Sequence, residues 1–156
     1  MTISNTVRYI GVNDREIDLF EGQYPVPNGM SYNSYVILDK KIAVMDSVDK
    51  NFGDQWISNI KSILQDKSPD FLVVHHMESD HSANITLFAQ TFPKAKIVSS
   101  SKAFEMMKNF FGNNFEDRQV IISEGDTLDL GNHKLTFYAA PMVHWPEVIV
   151  TYDSTD

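Results

Sequence analysis

The chain has 156 residues, with 13 Lys and Arg against 21 Asp and Glu, so its formal net charge is −8 at pH 7. This length is typical of one domain with a buried core, and 42% hydrophobic residues exclude a disordered or fibrous chain. The acidic balance argues against a nucleic acid or an anionic membrane as partner, because either would need a basic surface.

The residue types that are missing narrow the chemistry further. The sequence contains no cysteine, which excludes disulfides, thiolate zinc sites, iron–sulfur clusters and cysteine catalysis. Any bound metal must therefore be held by His, Asp and Glu. No apolar run approaches the roughly 18 residues of a membrane span, and the N-terminal segment lacks the pattern of a signal peptide. We expect a soluble, cytoplasmic protein.

Hydrophobic patterning predicts β-structure in the first third of the chain. The expected strands are residues 7–12, 17–20, 31–38 and 41–47. Asn13 and Asp14 are expected to form a turn, and Asp39 with Lys40 is a hairpin signal between the last two of these strands. The strand at 41–47 carries apolar residues at neighbouring positions, which predicts burial on both faces.

The rest of the chain alternates helical and strand patterns. Apolar residues recur at helical spacing in residues 53–67, 80–92 and 101–111, and Ser100 or Ser101 is a suitable cap for the last of these. The expected strands are residues 71–74, 95–99, 119–123, 127–130, 134–140 and 148–152. Early strands followed by alternating strands and helices predict a mixed α/β fold, with helices layered on a sheet.

One segment carries most of the polar side chains that can bind a metal. Three of the five histidines fall at positions 75, 76 and 81, accompanied by Glu78 and Asp80, directly after an apolar strand. Nitrogen and oxygen donors at the end of a buried strand suit a first-row transition metal rather than calcium, which prefers oxygen ligands alone. The alternative is structural, since Asp80 or Ser82 is a good helix N-cap. Four donors at positions 76, 78, 80 and 81 favour the metal.

These residues carry a resemblance to a known family. His76–His81, read as H-x-E-x-D-H, resembles the motif of flavodiiron proteins, the oxygen and nitric oxide reductases also called A-type flavoproteins. Residues 141–146, PMVHWP, are similar to a second family segment, and the 62 residues between His81 and His144 agree with the family spacing. Residues 31–37 and 45–48 resemble paired early strands of the same domain. The similarity runs from about residue 5 to the end of the chain.

The resemblance implies a metallo-β-lactamase fold, an αββα sandwich, and a set of metal ligands. His76, Glu78 and His144 are expected to hold one iron, and Asp80 and His81 the other. In some family members the residue matching His81 is turned away from the metal, so His81 is the least certain of these ligands. We expect three other residues to stay outside this set: His75 as a strand-end neighbour, His133 in a turn and Trp145 as a packing element.

Glu78 separates two interpretations of the motif. Zinc hydrolases of the same superfamily usually carry His at this position. A carboxylate adds negative charge and a hard oxygen donor, which suits iron that cycles between oxidation states, whereas zinc hydrolysis works with neutral imidazoles. The sequence therefore favours an oxidoreductase over a zinc-dependent hydrolase. A folded remnant whose site is empty and catalytically inactive is the third alternative.

The family pattern extends beyond the chain. It places a bridging Asp at position 163 and a further His about 60 residues later, and it adds a flavodoxin-like domain that carries FMN. We therefore expect residues 1–156 to be a partial diiron domain, with the first half of the sandwich and part of the second. Its exposed apolar faces and strand edges predict self-association into a homo-oligomer.

The resemblance also implies what the intact protein does. It reduces O₂ to water or NO to N₂O at a diiron centre, and an electron donor such as a rubredoxin-like protein or a flavin reductase supplies the electrons. We expect at most one well-occupied metal in this chain and no turnover by the chain alone.

Overall fold

The computed structural model describes residues 3–155, which form thirteen β-strands and four α-helices. The strands are β1 (Val7–Tyr9), β2 (Val12–Asp14), β3 (Leu19–Phe20), β4 (Tyr24–Pro25), β5 (Met30–Tyr32), β6 (Tyr35–Ile37), β7 (Ala43–Met45), β8 (Phe71–Val73), β9 (Lys96–Ser100), β10 (Gln119–Ile122), β11 (Thr127–Asp129), β12 (Lys134–Ala139) and β13 (Ile149–Asp153). The helices are α1 (Gly53–Leu64), α2 (Ser79–Ser82), α3 (Ile85–Thr91) and α4 (Ser101–Phe111). None of these helices is long and apolar enough to cross a membrane.

A six-stranded sheet with the order β1-β6-β7-β8-β9-β10 forms the centre of the fold. The first two pairings are antiparallel, and those of β7 with β8, β8 with β9 and β9 with β10 are parallel. Helices fill the crossovers between the parallel strands, as such connections require. The carboxyl ends of β7, β8 and β9 therefore open on the same edge of the sheet, where polar side chains can converge.

The two faces of this sheet bury two separate apolar cores. Alternate residues of β8 show the division, because Leu72 faces the helices while Phe71 and Val73 face the opposite side. Helix α1 covers the first face with Trp56 and Ile60, both fully buried. Apolar residues at helical spacing give α1 this one-sided character, as the sequence predicts.

A smaller sheet of order β11-β12-β13 covers the second face. Leu135 and Phe137 of β12 point into the core between the sheets, whereas Tyr138 of the same strand is exposed. Residues 3–155 thus form three layers, helices on sheet on sheet. This mixed α/β arrangement confirms the expected fold class, and it is partial relative to the four-layer αββα sandwich.

The strand predicted at residues 7–12 is divided between β1 and β2, and three other predicted elements also differ from the structure. Asn13 and Asp14 lie in β2, which pairs with β5 instead of forming a turn. Residues 31–38 form two strands, because Ser34 between them is buried and its hydroxyl bonds Trp56 Nε1 and the Asp46 carbonyl. The helix expected at 80–92 is broken at Asn84, whose side-chain amide donates to two backbone carbonyls at 2.9 Å. Tertiary hydrogen bonds of buried polar side chains account for the last two differences.

Candidate metal centre

Two parts of the chain meet at the edge where the parallel strands end. After β8 the chain leaves the sheet and places residues 75–81 above its carboxyl edge, with α2 starting at Ser79. The connection between β12 and β13 folds over this segment and brings His144 to it. At the first residue of β13, where this connection ends, the Ile149 backbone N–H donates to the His75 carbonyl at 3.1 Å and joins the two parts.

His76, Glu78 and His144 form the tightest group of ligand atoms at this edge. The Nε2 atoms of the two histidines are 3.0 Å apart, and Glu78 Oε2 lies 3.1 Å from His76 Nε2 and 3.3 Å from His144 Nε2. Two ring nitrogens at this distance repel each other when both present lone pairs, unless a positive charge lies between them. The three atoms converge on one point. Because His76 is buried and His144 is exposed, this point is accessible to solvent from one side.

These distances suit one metal ion. Three ligand atoms about 2.1 Å from a metal, and about 90–110° apart around it, are separated by roughly 3.0–3.4 Å. The observed separations of 3.0, 3.1 and 3.3 Å fall in this range. Two imidazoles and one carboxylate with open positions are the donor set of non-haem Fe(II) sites. The residues of this structure therefore fit an iron ion.

Asp80 and His81, the expected ligands of a second metal, lie beside this group but outside it. Asp80 Oδ2 is 3.7 Å from His81 Nε2, and residues 3–155 contribute no third ligand atom near enough to close a second group. Asp80 lies inside the first turn of α2, whose N-cap residue is Glu78, so Asp80 is not the helix cap that the alternative interpretation required. Its Oδ1 is buried without a hydrogen-bond partner. Burial raises the pKa of the Asp80 carboxyl. The structure thus brings together three of the five predicted ligands.

Asp46 orients both His75 and His81. This carboxylate follows β7, and its Oδ2 accepts from His75 Nδ1 at 3.0 Å and from His81 Nδ1 at 3.1 Å. Burial opposes the charge of Asp46, but the two histidines outweigh it and hold the pKa of Asp46 below its usual value. Burial likewise opposes the charge of His81, yet Asp46 and Asp80 raise the pKa of His81 to about 9. His81 is therefore held with its Nε2 toward Asp80, while His75 Nε2 bonds Thr151 Oγ1 at 2.7 Å.

Glu78 lies in an environment that disfavours its charge. Burial, a hydrogen bond with Glu21 and the nearby Asp80 raise the pKa of Glu78 to about 7, against the favourable charge of His144. A metal cation at this position would supply the missing positive charge. Glu78 also lines a cleft of about 250 Å³, together with Met77, Phe110, Phe111 and Trp145. Trp145 packs edge-on against the His76 ring at 5.1 Å, which agrees with a packing role.

Sequence reasoning missed several residues of this region. Glu147 is fully buried and accepts from His76 Nδ1 at 2.7 Å, and Asp46 bonds two histidines. The sequence does contain a signal for Asp46, because a polar residue directly after β7 lies at the same sheet edge as the residues that follow β8. Glu21 comes from the β3–β4 hairpin and has no local signal. His133 lies in the turn between β11 and β12, as expected, but it is buried, with Nδ1 bonded to Asp153 Oδ2 at 2.6 Å.

Comparison with known proteins agrees with the sequence motifs and the fold. The family described as "ODP family beta lactamase" matches residues 30–156. The chain belongs to this family. It corresponds to the metallo-β-lactamase-like N-terminal domain of flavodiiron proteins, and it spans about a third of the length of the curated relatives that it matches.

Individual relatives support the assignment. The anaerobic nitric oxide reductase flavorubredoxin of Vibrio vulnificus is 33% identical over 99% of this chain and 31% of its own length. The flavodiiron protein of Giardia intestinalis superposes with a TM-score of 0.89 at 32% identity, covering 97% of this chain and 36% of that one. Rubredoxin:oxygen oxidoreductase of Desulfovibrio gigas gives a TM-score of 0.92 at 28% identity, covering 99% of this chain and 38% of that one. The fold and the oxidoreductase family are therefore shared.

Proposed function

We propose that residues 1–156 are a partial diiron domain of an oxidoreductase that reduces O₂ to water or NO to N₂O. The observation that carries this proposal is the convergence of His76, Glu78 and His144 on one point with separations of 3.0–3.3 Å. Two imidazoles and a carboxylate are the donor set of non-haem iron sites, and some zinc hydrolases share it, so the named relatives and not the donor set favour iron. Relatives named nitric oxide reductase and rubredoxin:oxygen oxidoreductase support the two substrates.

In this proposal each side chain has a defined task. His76, Glu78 and His144 would hold one iron, which supplies electrons to a diatomic substrate when bound. Asp80 and His81 would contribute to a second iron, with His81 oriented by Asp46. Met77, Phe111 and Trp145 line the cleft beside the ligands and limit the access of water. Electrons would come from FMN in a flavodoxin-like domain and from a rubredoxin-like or flavin reductase partner, in the cytoplasm.

Zinc hydrolases of the same superfamily usually carry His where this chain has Glu78, which also argues against that alternative. The buried Asp80 Oδ1, which lacks a hydrogen-bond partner, argues against the empty remnant. An unpaired buried carboxylate oxygen is costly, and a cation nearby removes that cost.

We further propose that the chain self-associates through the open side of its sandwich. The central sheet has six strands, while the sheet that covers it has three, and a groove of about 500 Å³ remains beside β13. Val7, Tyr35, Ile37 and Met45 line this groove. Within residues 3–155, β13 pairs only with β12, so its other edge is free to accept a strand of a second copy. A stable monomer by light scattering at high protein concentration would contradict this.

Metal analysis combined with a spectroscopic probe tests the proposed chemistry. The purified protein is loaded with Fe²⁺ or with Zn²⁺ without oxygen, and NO is added to the iron form. We expect an EPR signal of iron with NO in the wild type and its loss in His144→Ala. Turnover of a lactam or thioester by the zinc form would support the hydrolase instead. A melting temperature that is unchanged by a chelator, in protein purified with iron present, would support the empty remnant.

A further inference from the structure

Glu147 is the most deeply buried carboxylate at the candidate metal centre, and no sequence motif accounts for it. Its side chain is fully buried, and a single oxygen, Oε1, accepts from His76 Nδ1 at 2.7 Å and from the Met77 backbone N–H at 2.8 Å. The other oxygen, Oε2, is buried without a hydrogen-bond partner. Such a half-satisfied carboxylate is a poor choice for stability alone, because an apolar or amide side chain would avoid the cost of burying its charge.

The backbone around Glu147 is anchored independently of its side chain. The Glu147 carbonyl accepts from Ser100 Oγ at 3.1 Å, and the same hydroxyl caps the first turn of α4 by accepting from the Ala103 N–H. The position of Glu147 is thus fixed to the end of β9. His144, three residues earlier, contributes one of the converging nitrogens. One connection between β12 and β13 therefore delivers His144 itself and the carboxylate that contacts His76.

We propose that Glu147 is a positioning residue that fixes the orientation and the tautomer of His76. A carboxylate only accepts hydrogen bonds, so the His76 ring must carry its proton on Nδ1 to make the 2.7 Å contact. The lone pair of the neutral ring is then on Nε2, the atom that lies 3.0 Å from His144 Nε2 and 3.1 Å from Glu78 Oε2. Trp145 packs edge-on against the His76 ring and limits the rotation of this ring about its Cβ–Cγ bond.

It follows that the packing of the β12–β13 connection also fixes the ring orientation and the tautomer of His76. Without the connection, His76 loses the acceptor on Nδ1 at the same time as the site loses His144. Carboxylates bonded to the outer nitrogen of a ligating histidine raise the basicity of that ring, and their removal costs about 10- to 100-fold in metal affinity. This inference rests on the proposed metal site, but the proton position on His76 can be measured without any metal.

The first measurement is ¹⁵N NMR of the His76 ring in metal-free wild-type protein. We expect the proton on Nδ1, with a coupling across the hydrogen bond to Glu147. A proton on Nε2, or a mixture of the two tautomers in the wild type, would overturn the inference. This outcome does not depend on whether the protein binds metal, so it separates the role of Glu147 from the proposed function.

The second measurement is the affinity for Co²⁺, a spectroscopic substitute for iron, in wild type and Glu147→Gln. The amide preserves the shape of the side chain but removes its charge, and we expect binding to weaken about 10- to 100-fold. Asp153→Asn is the matched control, because Asp153 bonds Nδ1 of buried His133 at 2.6 Å and neither residue belongs to the ligand group. Equal affinities of wild type and Glu147→Gln would refute the inference. Equal weakening in the control would also refute it, as a general loss of stability.

Discussion

Phe137 tests whether the small sheet holds the metal centre in place. Its side chain is fully buried between the two sheets, in the strand that leads into the connection carrying His144. Phe137→Ala removes the ring from a packed core and leaves a cavity. A substitution of this type costs about 3–5 kcal/mol. The free energy of unfolding of a domain of this size is about 5–15 kcal/mol, so we expect Phe137→Ala to remove a large fraction of it.

The neighbouring Tyr138 is the control, because it lies in the same strand and points to the opposite, exposed face. We expect Tyr138→Ala to cost less than about 1 kcal/mol, as is usual for exposed positions. Urea unfolding followed by circular dichroism measures both values, and the slope of the transition should stay unchanged. Co²⁺ affinity should fall in Phe137→Ala, because His144 loses its support. Equal destabilisation by the two substitutions would refute the two-sheet packing that positions the site.

Two further predictions concern electrostatics and close packing. The pKa of His81 rises from 6.5 to about 9 in the folded protein, so its stabilising contribution is full below pH 6.5 and is lost as the pH rises through 9. Urea midpoints of metal-free protein should fall over this interval, and the fall should be smaller in Asp46→Asn. An added Cβ at Gly53 would clash with Asn84 Oδ1, so we expect Gly53→Ala to cost about 3 kcal/mol by urea unfolding. Gly112→Ala, with a φ of +69° and open space, should cost about 1 kcal/mol.

The elements that the sequence predicted well are those whose cause is local. Helix α4 has the predicted bounds, and the hydroxyl of Ser100 caps it as expected. Strand β8 was predicted from a short apolar run, and it is buried on both faces. The spacing of apolar residues and the identity of cap residues depend on neighbouring positions, so a single sequence is enough to predict these elements.

The features that could not be predicted from the sequence depend on contacts between residues that are far apart in the chain. Glu147 contacts His76 across 71 positions, and Asp46 contacts His81 across 35. Neither pairing has a local pattern, because each exists only once the strands are aligned at one edge of the sheet. Asn84 interrupts an apolar helical pattern because its amide donates to the carbonyls of Val48 and Asp49, 36 and 35 positions earlier in the β7–α1 connection. Tertiary hydrogen bonds override local propensity in such places.

His76, Glu78 and His144 form one metal site in our proposal. Its most direct test is anaerobic titration with Fe²⁺, with bound iron counted per chain in wild type and in His144→Ala. We expect one tightly bound iron per wild-type chain, and weak or absent binding in the variant. Two tightly held irons per chain, or an unchanged affinity without His144, would contradict it.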